Sequence, residues 1–284
     1  MSRFVTVIDP GPLTTVQDAG RPGWAHLGVP RSGALDPVAA ALANRLVGNR
    51  DRVAVLETTS GGVTVRLSTA MTVAATGADA VVSVDGRPVA FAEPVSAHAG
   101  STVTVGRARE GVRSYLAVAG GIDVAEVLGS RSTDLLSGLG PAPLSQGDEL
   151  PVGEAFEKPR GIDVPVVRRL LPVNLRLVTG PRQDWFTDEA VETLTGSSYA
   201  VSSDSNRIGL RLHGPALMRR HQEELPSEGI VLGAVQVPSS GQPLVFLNDH
   251  PTTGGYPVIG VVVTEDLFMC AQMRPGDELR FRIM

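Results

Sequence analysis

The chain is poor in residue types that several classes of protein require. Its 284 residues include a single cysteine, Cys270, so no disulfide can form within one chain and no multi-cysteine metal site is possible. Of its 25 lysines and arginines only Lys158 is a lysine. A phosphate-binding loop of the Gly-Lys-Ser/Thr type is therefore absent, and the chain carries no biotin motif.

Long apolar runs and signs of targeting are also missing. No apolar stretch approaches the ~18 residues that suggest a membrane span, and the first residues contain no apolar segment of a signal peptide. The 25 basic and 30 acidic residues give a net charge of −5, without a basic stripe interleaved with aromatics. Neither a membrane nor a nucleic acid is expected as a partner, and the chain is expected to be cytoplasmic.

Glycine and proline are abundant instead. The sequence has 32 glycines and 21 prolines, and 42% of its residues are hydrophobic. This composition favours short strands and turns around one or two cores. The predicted fold class is mainly β with a few short helices. A polar stretch over 151–168 lacks periodicity and predicts a boundary between two subdomains, 1–165 and 166–284.

The clearest helix is predicted to begin after Asp36, which suits the N-cap. Pro37 suits the first helical position and Gly48 the position just past the helix. The predicted buried stripe consists of residues four apart, namely Val38, Leu42 and Leu46.

Runs of β-branched residues with a period of two predict the strands. They span 4–8, 53–57, 62–67, 71–76, 80–84, 102–105, 113–119, 173–179, 199–202, 244–248, 258–264 and 278–283. Asp85-Gly86 is typical of a type I′ hairpin turn. The motif Gly-Asp-Glu-Leu occurs at 147–150 and at 276–279, a weak repeat that suggests two similar β-barrels.

Five polar clusters contain residues that bind small polar ligands. The first, over 11–23, is interpreted as a polar loop. There the side chains of Gln17, Asp18 and Arg21 suit an amide or a carboxylate, with the guanidinium as a bidentate donor. The alternative is that Asp18 and Arg21 pair with each other and fix the loop.

The second cluster, over 28–36, leads into the predicted helix. Backbone N–H groups and the helix dipole favour an anion at such a position. Capping by Asp36 would occupy the same position, and would leave Arg31 and Ser32 to contact a ligand.

The third and fourth clusters offer arginines. Over 129–134, Arg131 and Ser132 lie among hydroxyls that suit phosphate or carboxylate recognition, although a turn with a structural ion pair explains them equally well. In the fourth, Arg182 and Arg207 are the ligand candidates.

The fifth cluster, over 248–257, joins two apolar strands. Its hydroxyls and glycine N–H groups suit an oxyanion or phosphate, and Asp249 and His250 suit acid–base chemistry, but a structural turn is the simpler interpretation. The hydroxyl-bearing candidates are Thr252, Thr253 and Tyr256. The five histidines have no metal-binding spacing and no Gly-x-Ser-x-Gly elbow occurs, so no metal site is expected.

Taken together, these motifs resemble the KipA proteins, also called allophanate hydrolase subunit 2 or the C-type subunit of the bacterial ATP-dependent 5-oxoprolinase. They are also similar to the A and B subdomains of the carboxyltransferase region of urea carboxylase. The resemblance covers nearly the whole chain and rests on motifs at 14–21, 28–34, 117–122, 129–134, 180–182, 205–207, 227–230 and 252–257.

The resemblance implies a cyclophilin-like β-barrel architecture, with a carboxyltransferase-like subdomain over 1–165 and a barrel over 166–284. It implies a hetero-oligomer with a KipI-like partner, allophanate hydrolase subunit 1. The complex would use ATP to hydrolyse a small amide, 5-oxoproline or allophanate. The rival interpretation is a regulatory module that sequesters a KipI-like kinase inhibitor.

On this basis the expected catalytic residues are Asp18, Arg131 and Arg207. The expected substrate-binding residues are Gln17, Arg21, Arg31, Ser32, Ser132, Thr252, Thr253 and Tyr256. The chain departs from the family where Asp-Arg-Gln is expected before Thr-Thr-Gly-Gly-Tyr, because Asp249-His250-Pro251 stands there. The loss of that arginine and amide leaves the identity of the substrate open.

Overall fold

The computed structural model describes residues 2–159, 172–221, 223 and 225–284. The chain forms two compact units. Within the described residues, the first unit contains residues 2–21, 32–134 and 138–159. The second unit contains residues 22–31 and 135–137 and those described between 172 and 284. The expected boundary at 165/166 lies outside the described residues and stays a prediction.

The first unit consists of two antiparallel sheets and one helix. Its strands are β1 (Phe4–Asp9), β2 (Thr14–Gln17), β3 (Val55–Thr59), β4 (Val63–Leu67), β5 (Met71–Asp79), β6 (Val82–Val84), β7 (Arg87–Val89), β8 (Val95–Ala97), β9 (Thr102–Val105), β10 (Glu110–Val118) and β11 (Glu149–Pro151), and its helix is α1 (Pro37–Leu46). One sheet has the order β11-β1-β4-β9-β6-β7 and the other β2-β3-β10-β5-β8. Buried aliphatic side chains from both sheets form one core.

Helix α1 covers the other face of the second sheet. The Asp36 carboxylate accepts a hydrogen bond of 2.9 Å from the Ala39 N–H, which confirms the predicted N-cap. The predicted buried stripe is wrong at its first position, because Val38 is 57% exposed, whereas Leu46 is fully buried. The helix instead packs through Ala39 and Ala43, whose small side chains let it lie close to the sheet.

A buried carboxylate holds the start of α1 in place. Glu57 accepts hydrogen bonds from the Tyr115 hydroxyl at 2.8 Å and from the Leu35 N–H at 3.0 Å. The Asp36 N–H in turn donates to the Tyr115 oxygen at 2.8 Å. Burial, reinforced by the charge of Glu57, raises the pKa of Tyr115 well above its usual value, so its hydroxyl keeps the proton that it donates.

The second unit contains a closed barrel. Its strands are β12 (Val173–Thr179), β13 (Tyr199–Val201), β14 (Gly209–His213), β15 (Glu228–Gly229), β16 (Ala234–Gln236), β17 (Leu244–Phe246), β18 (Thr253–Gly254), β19 (Val258–Val262) and β20 (Glu278–Ile283), with helices α2 (Asp188–Gly196) and α3 (Leu267–Cys270). The barrel order is β12-β19-β16-β17-β14-β13-β20, and β15 and β18 form a separate ribbon. The predicted fold class, mainly β with a few short helices, is confirmed.

Local turns follow the chemistry of the sequence. Asp85 and Gly86 have φ values of 49° and 74° and join β6 to β7, which confirms the type I′ hairpin. The two copies of Gly-Asp-Glu-Leu form the same turn, because Asp148 and Asp277 each accept a 2.7 Å hydrogen bond from the N–H three residues earlier. The two similar β-barrels suggested by this repeat are wrong, because the first unit has two sheets and the closed barrel lies in the second. The expected polar loop over 11–23 is wrong in part, since Thr14–Gln17 form a buried strand.

Among the described residues, none of the helices has the length and apolar character needed to cross a membrane.

An ion pair between Arg176 of β12 and Asp266 makes the free energy of unfolding depend on pH. Asp266 is buried and accepts hydrogen bonds of 2.8 Å from both the backbone N–H and the guanidinium of Arg176. Burial alone would raise the pKa of Asp266, but the hydrogen bonds and charge of Arg176 lower it below its usual value. The stabilisation is therefore present above the unfolded pKa of about 3.9 and is lost as the pH falls through the lower folded value.

We therefore expect Asp266→Asn to lower the free energy of unfolding at pH 7 and to have little effect near pH 2. Urea denaturation of both proteins across this range measures the difference. Asp204→Asn, at an exposed carboxylate, is the control. A difference that persists unchanged in acid would contradict the ion pair as its source.

Candidate functional site

Asp18, which directly follows β2, organises the polar centre of the first unit. Its carboxylate accepts hydrogen bonds from the Ser130 and Ser132 hydroxyls, both at 2.6 Å. It also accepts from the backbone N–H groups of Gly20 and Arg131, both at 2.7 Å. Asp18 therefore ties two chain segments together that are more than a hundred residues apart.

Arg21 contacts the same segment from a buried position. Its side chain is 1% exposed. Its Nε donates to the Val127 carbonyl at 3.2 Å, and its Nη2 donates to the Ser132 carbonyl. Asp18 and Arg21 thus both bind Ser132, one through its hydroxyl and the other through its carbonyl.

The Arg131 guanidinium points towards surface carboxylates. It pairs with Asp123 at 2.6 Å and with Glu126, and its side chain is 29% exposed. Its backbone N–H, and not its guanidinium, binds Asp18.

Gln17 and Ser32 meet at the Thr133 carbonyl. Gln17 Nε2 donates to this oxygen at 2.9 Å and to Thr15 Oγ1 at 3.0 Å. The Ser32 hydroxyl donates to the same carbonyl at 2.7 Å. The candidates brought together in the first unit are thus Gln17, Asp18, Arg21, Ser32, Arg131 and Ser132. Of the other predicted residues, Arg31 lies in the second unit and is partly buried.

In the second unit, Arg207 forms a buried bidentate ion pair. Its Nε and Nη2 donate to the two carboxylate oxygens of Asp249 at 2.9 and 3.0 Å, and both side chains are no more than 1% exposed. Asp249 also accepts from the Leu135 N–H at 3.2 Å. The pair therefore anchors the start of the 248–257 cluster.

The hydroxyl-bearing end of that cluster lies on the ribbon. Thr253 belongs to β18, which pairs with β15, and the Thr252 carbonyl accepts from the Ile230 N–H at 2.9 Å. Tyr256 is 45% exposed, while its backbone carbonyl accepts a hydrogen bond from Gln236 Nε2 at 3.1 Å. Backbone contacts thus fix this segment, and the side chains of Thr253 and Tyr256 are exposed.

The two residues that depart from the family pattern contact each other. His250 is 6% exposed, and its Nδ1 lies 2.7 Å from the carbonyl oxygen of Pro251. Arg182, which follows β12, forms an ion pair with Glu228 of β15 in the ribbon. The fourth-cluster candidate Arg182 therefore braces the strand opposite Thr253.

A pocket of about 200 Å³ lies in the first unit beside α1. It is lined by Gln17, Asp18, Ala19, Ala34, Pro37, Ala40, Ala41, Asp51, Arg52 and Val53. Sequence reasoning identified Gln17 and Asp18 but missed Arg52, because small alanines and a single arginine outside any motif give no signal. No cluster of three or more potential metal-binding side chains occurs among the described residues.

Two sheets with a covering helix and a closed seven-stranded barrel define a mainly β protein of two units. The model of the family described as carboxyltransferase domain, subdomain A and B, matches residues 27–283. The chain belongs to this family, which confirms the resemblance found in the sequence.

Curated relatives match along almost the whole chain. The C-type subunit of 5-oxoprolinase from Escherichia coli strain K12 is 41% identical over 282 residues, which cover 98% of this chain and 90% of that protein. The protein of the same name from Haemophilus influenzae is 32% identical with the same coverage. A urea amidolyase from Lachancea kluyveri is 32% identical over 97% of this chain, but this match covers only 16% of that protein.

Solved structures share the fold. The urea amidolyase of K. lactis superposes with a TM-score of 0.92 at 29% identity, covering 100% of this chain and 19% of that one. The protein TTHA0988 superposes with a TM-score of 0.88 at 38% identity, covering 99% of this chain and 56% of that one. The chain thus spans little more than half the length of one of these proteins and about a fifth of the other.

Proposed function

We propose that this chain is the C-type subunit of a multi-subunit enzyme that hydrolyses 5-oxoproline with ATP. The observation that carries this proposal is the 41% identity to a 5-oxoprolinase subunit of this type over 98% of this chain and 90% of the relative. A urea amidolyase is 32% identical to this chain, so the higher identity to the 5-oxoprolinase subunit favours 5-oxoproline over urea-derived substrates. Allophanate is the second substrate candidate.

The reaction explains why ATP is needed. A lactam is stabilised by resonance and is a poor electrophile. Transfer of the γ-phosphoryl group of ATP to the lactam oxygen releases ADP and activates the ring carbon. One water adds to this carbon and the carbon–nitrogen bond breaks to leave an acyl phosphate. A second water then releases phosphate and glutamate. Guanidinium and N–H donors stabilise the negative charge that develops.

Within this enzyme we assign anion binding to arginines of this chain. In the first unit, Arg131 is the proposed anion-holding group, and Asp18 fixes the backbone N–H next to its side chain. In the second unit, Arg207 is the proposed anion-holding group, and Thr252, Thr253 and Tyr256 are proposed to face the substrate. The exposure of Thr253 and Tyr256 supports this assignment, because a ligand can reach them.

A KipI-like chain is the proposed partner. Two of the relatives are named as subunits of 5-oxoprolinase, which implies a complex of several chains, and activity would require the partner. ATP would be used by this complex, which we place in the cytoplasm. No observation favours the regulatory alternative, in which the chain only sequesters a kinase inhibitor.

The test is to purify the chain with a KipI-like partner and to measure ATP-dependent release of glutamate from 5-oxoproline, with allophanate as a parallel substrate. We expect glutamate release, stoichiometric with ADP, only when both chains are present. Turnover of allophanate alone would replace the proposed substrate, and the absence of both activities would overturn the proposal.

Arg131→Ala tests the anion-binding assignment. We expect turnover to fall at least about ten-fold, since a charged hydrogen bond is worth roughly 1.5–3 kcal/mol, while thermal stability changes little because exposed ion pairs contribute little. Arg45→Ala is the matched control, since Arg45 also pairs at the surface, with Asp51 at 2.9 Å. Near-normal turnover of Arg131→Ala would remove Arg131 from the site.

A further inference from the structure

The side-chain amide of Gln17 has a fixed orientation and one unused acceptor. Its Nε2 donates to the Thr133 carbonyl oxygen at 2.9 Å, and a carbonyl can only accept, so the amide nitrogen must lie on that side. Gln17 is fully buried, and its Oε1 has no hydrogen-bond partner among the described residues. An unpaired buried acceptor carries an uncompensated desolvation cost, which a donor from a ligand removes.

Strand register places this acceptor on the side of the pocket. Gln17 in β2 lies directly opposite Val55 in β3, and residues opposed in this way share one face of the sheet. Val55 belongs to the core beneath α1. The Gln17 side chain therefore points to the α1 side of the sheet, where it lines the pocket together with Ala40 and Ala41 of that helix.

The pocket suits a compact ligand with both an amide and a negative charge. Its volume of about 200 Å³ is below the ~300–1,000 Å³ typical of sites for larger ligands, so it fits one small ring and not a nucleotide. Its walls are mainly alanine, proline and valine, which pack against a flat ring. The lining also contains two carboxylates, but Asp18 accepts hydrogen bonds from four donors and Asp51 pairs with Arg45. The exposed side chain of Arg52 adds a positive charge to the lining.

We propose that this pocket binds a small cyclic amide, with the ring N–H donated to Gln17 Oε1 and a carboxylate on the ring paired with Arg52. The inference rests on the proposed function, because 5-oxoproline has both groups. It assigns Gln17 a specific role as the acceptor that recognises the lactam N–H. Binding replaces the missing partner of a buried atom, and a ligand without the N–H loses that contact.

Paired ligands that differ only in this N–H test the proposal. Calorimetric titration of the full chain and of its complex would use 5-oxoproline against N-methyl-5-oxoproline, and 2-pyrrolidone against N-methyl-2-pyrrolidone. We expect each N–H ligand to bind at least about ten-fold more tightly than its N-methyl counterpart, the cost of leaving a buried acceptor unpaired. In Gln17→Leu the two members of each pair should bind equally.

A second variant guards against misfolding of the first. Ala41→Leu narrows the pocket while Gln17 and its partners Thr15 and Thr133 keep their identities, and it should abolish binding of both lactams. Val38→Leu, at an exposed position of the same helix, should leave binding unchanged. Equal binding of the paired ligands to the wild-type chain, or no binding of any lactam, would overturn the inference.

The two proposals fail in different ways. Glutamate release by the complex without N–H discrimination in binding would leave the proposed function standing and remove the Gln17 site. Discrimination between the pyrrolidones without turnover of 5-oxoproline would support the pocket and remove the proposed reaction.

Discussion

Replacing Arg207 with methionine is expected to lower the free energy of unfolding by about 3–5 kcal/mol, because it leaves the Asp249 carboxylate buried without its counter-charge. Both side chains are no more than 1% exposed and share two hydrogen bonds of 2.9 and 3.0 Å. A charge that is removed from water and then loses its partner is among the costliest defects that a single substitution creates. Urea denaturation of the full chain measures the loss.

A double-mutant cycle separates the ion pair from other effects. Asp249→Asn should destabilise the chain by a similar amount, and the double variant with Arg207→Met should cost much less than the sum of the two. The surface pair of Arg45 and Asp51, which are 44% and 54% exposed, is the control and should contribute no more than about 1 kcal/mol. Strict additivity at Arg207 and Asp249 would show that the two residues act independently.

The cycle also bears on the proposed anion-binding role of Arg207. A variant that has lost several kcal/mol of stability loses turnover whether or not Arg207 contacts the substrate in the wild-type chain. Activity must therefore be measured under conditions where the folded fraction is known, and a KM that rises while folding is intact would support a contact with the ligand.

Asp18→Ala is expected to cost on the order of 3–4 kcal/mol, since each hydrogen bond to a charged group is worth roughly 1.5–3 kcal/mol and some donors will regain water. The carboxylate accepts from two hydroxyls and two backbone N–H groups at 2.6–2.7 Å. Its loss leaves these donors unpaired at the centre of the first unit. Thermal and urea unfolding should both report the change.

Asp9→Ala provides the matched control. Asp9 is exposed, and its carboxylate accepts a hydrogen bond of 2.9 Å from the Gly11 N–H, so its removal should cost about 1 kcal/mol or less. The loss of stability in Asp18→Asn should lie between those of Asp18→Ala and Asp9→Ala. An amide keeps one acceptor oxygen, but its NH₂ group faces the hydroxyl and N–H donors that the carboxylate accepted from. Equal effects of Asp18→Ala and Asp9→Ala would refute the view of Asp18 as a structural hub.

Local chemistry made part of the fold predictable. Asp36 and Pro37 mark the start of α1 because a short acceptor and a fixed φ act on the residues next to them. Asp85-Gly86 specifies its hairpin for the same reason, since both residues tolerate positive φ. The family could also be identified from the sequence, because several separated motifs occur in the right order.

The errors arose where periodicity alone was ambiguous. In α1 both the stripe containing Val38 and the alanine stripe containing Ala39 and Ala43 recur at helical spacing. Only the packing of the helix against the sheet selects the small side chains. The sequence of Thr14–Gln17 is short and polar and therefore predicts a loop, whereas the structure has a strand there. Its polar side chains are nevertheless buried, since Gln17 finds partners in Thr15 and Thr133.

The sequence by itself determined the mainly β class, the caps and turns, and the family, because these depend on residues close together or on motifs that keep their order. The tertiary structure decided which charged residues form buried ion pairs and which atom of Gln17 is left to accept a hydrogen bond from a ligand. Asp18 contacts Ser132, and Arg207 contacts Asp249, because the fold brings residues that are distant in sequence together. A buried polar group then requires a complementary group nearby, and the topology determines which one that is.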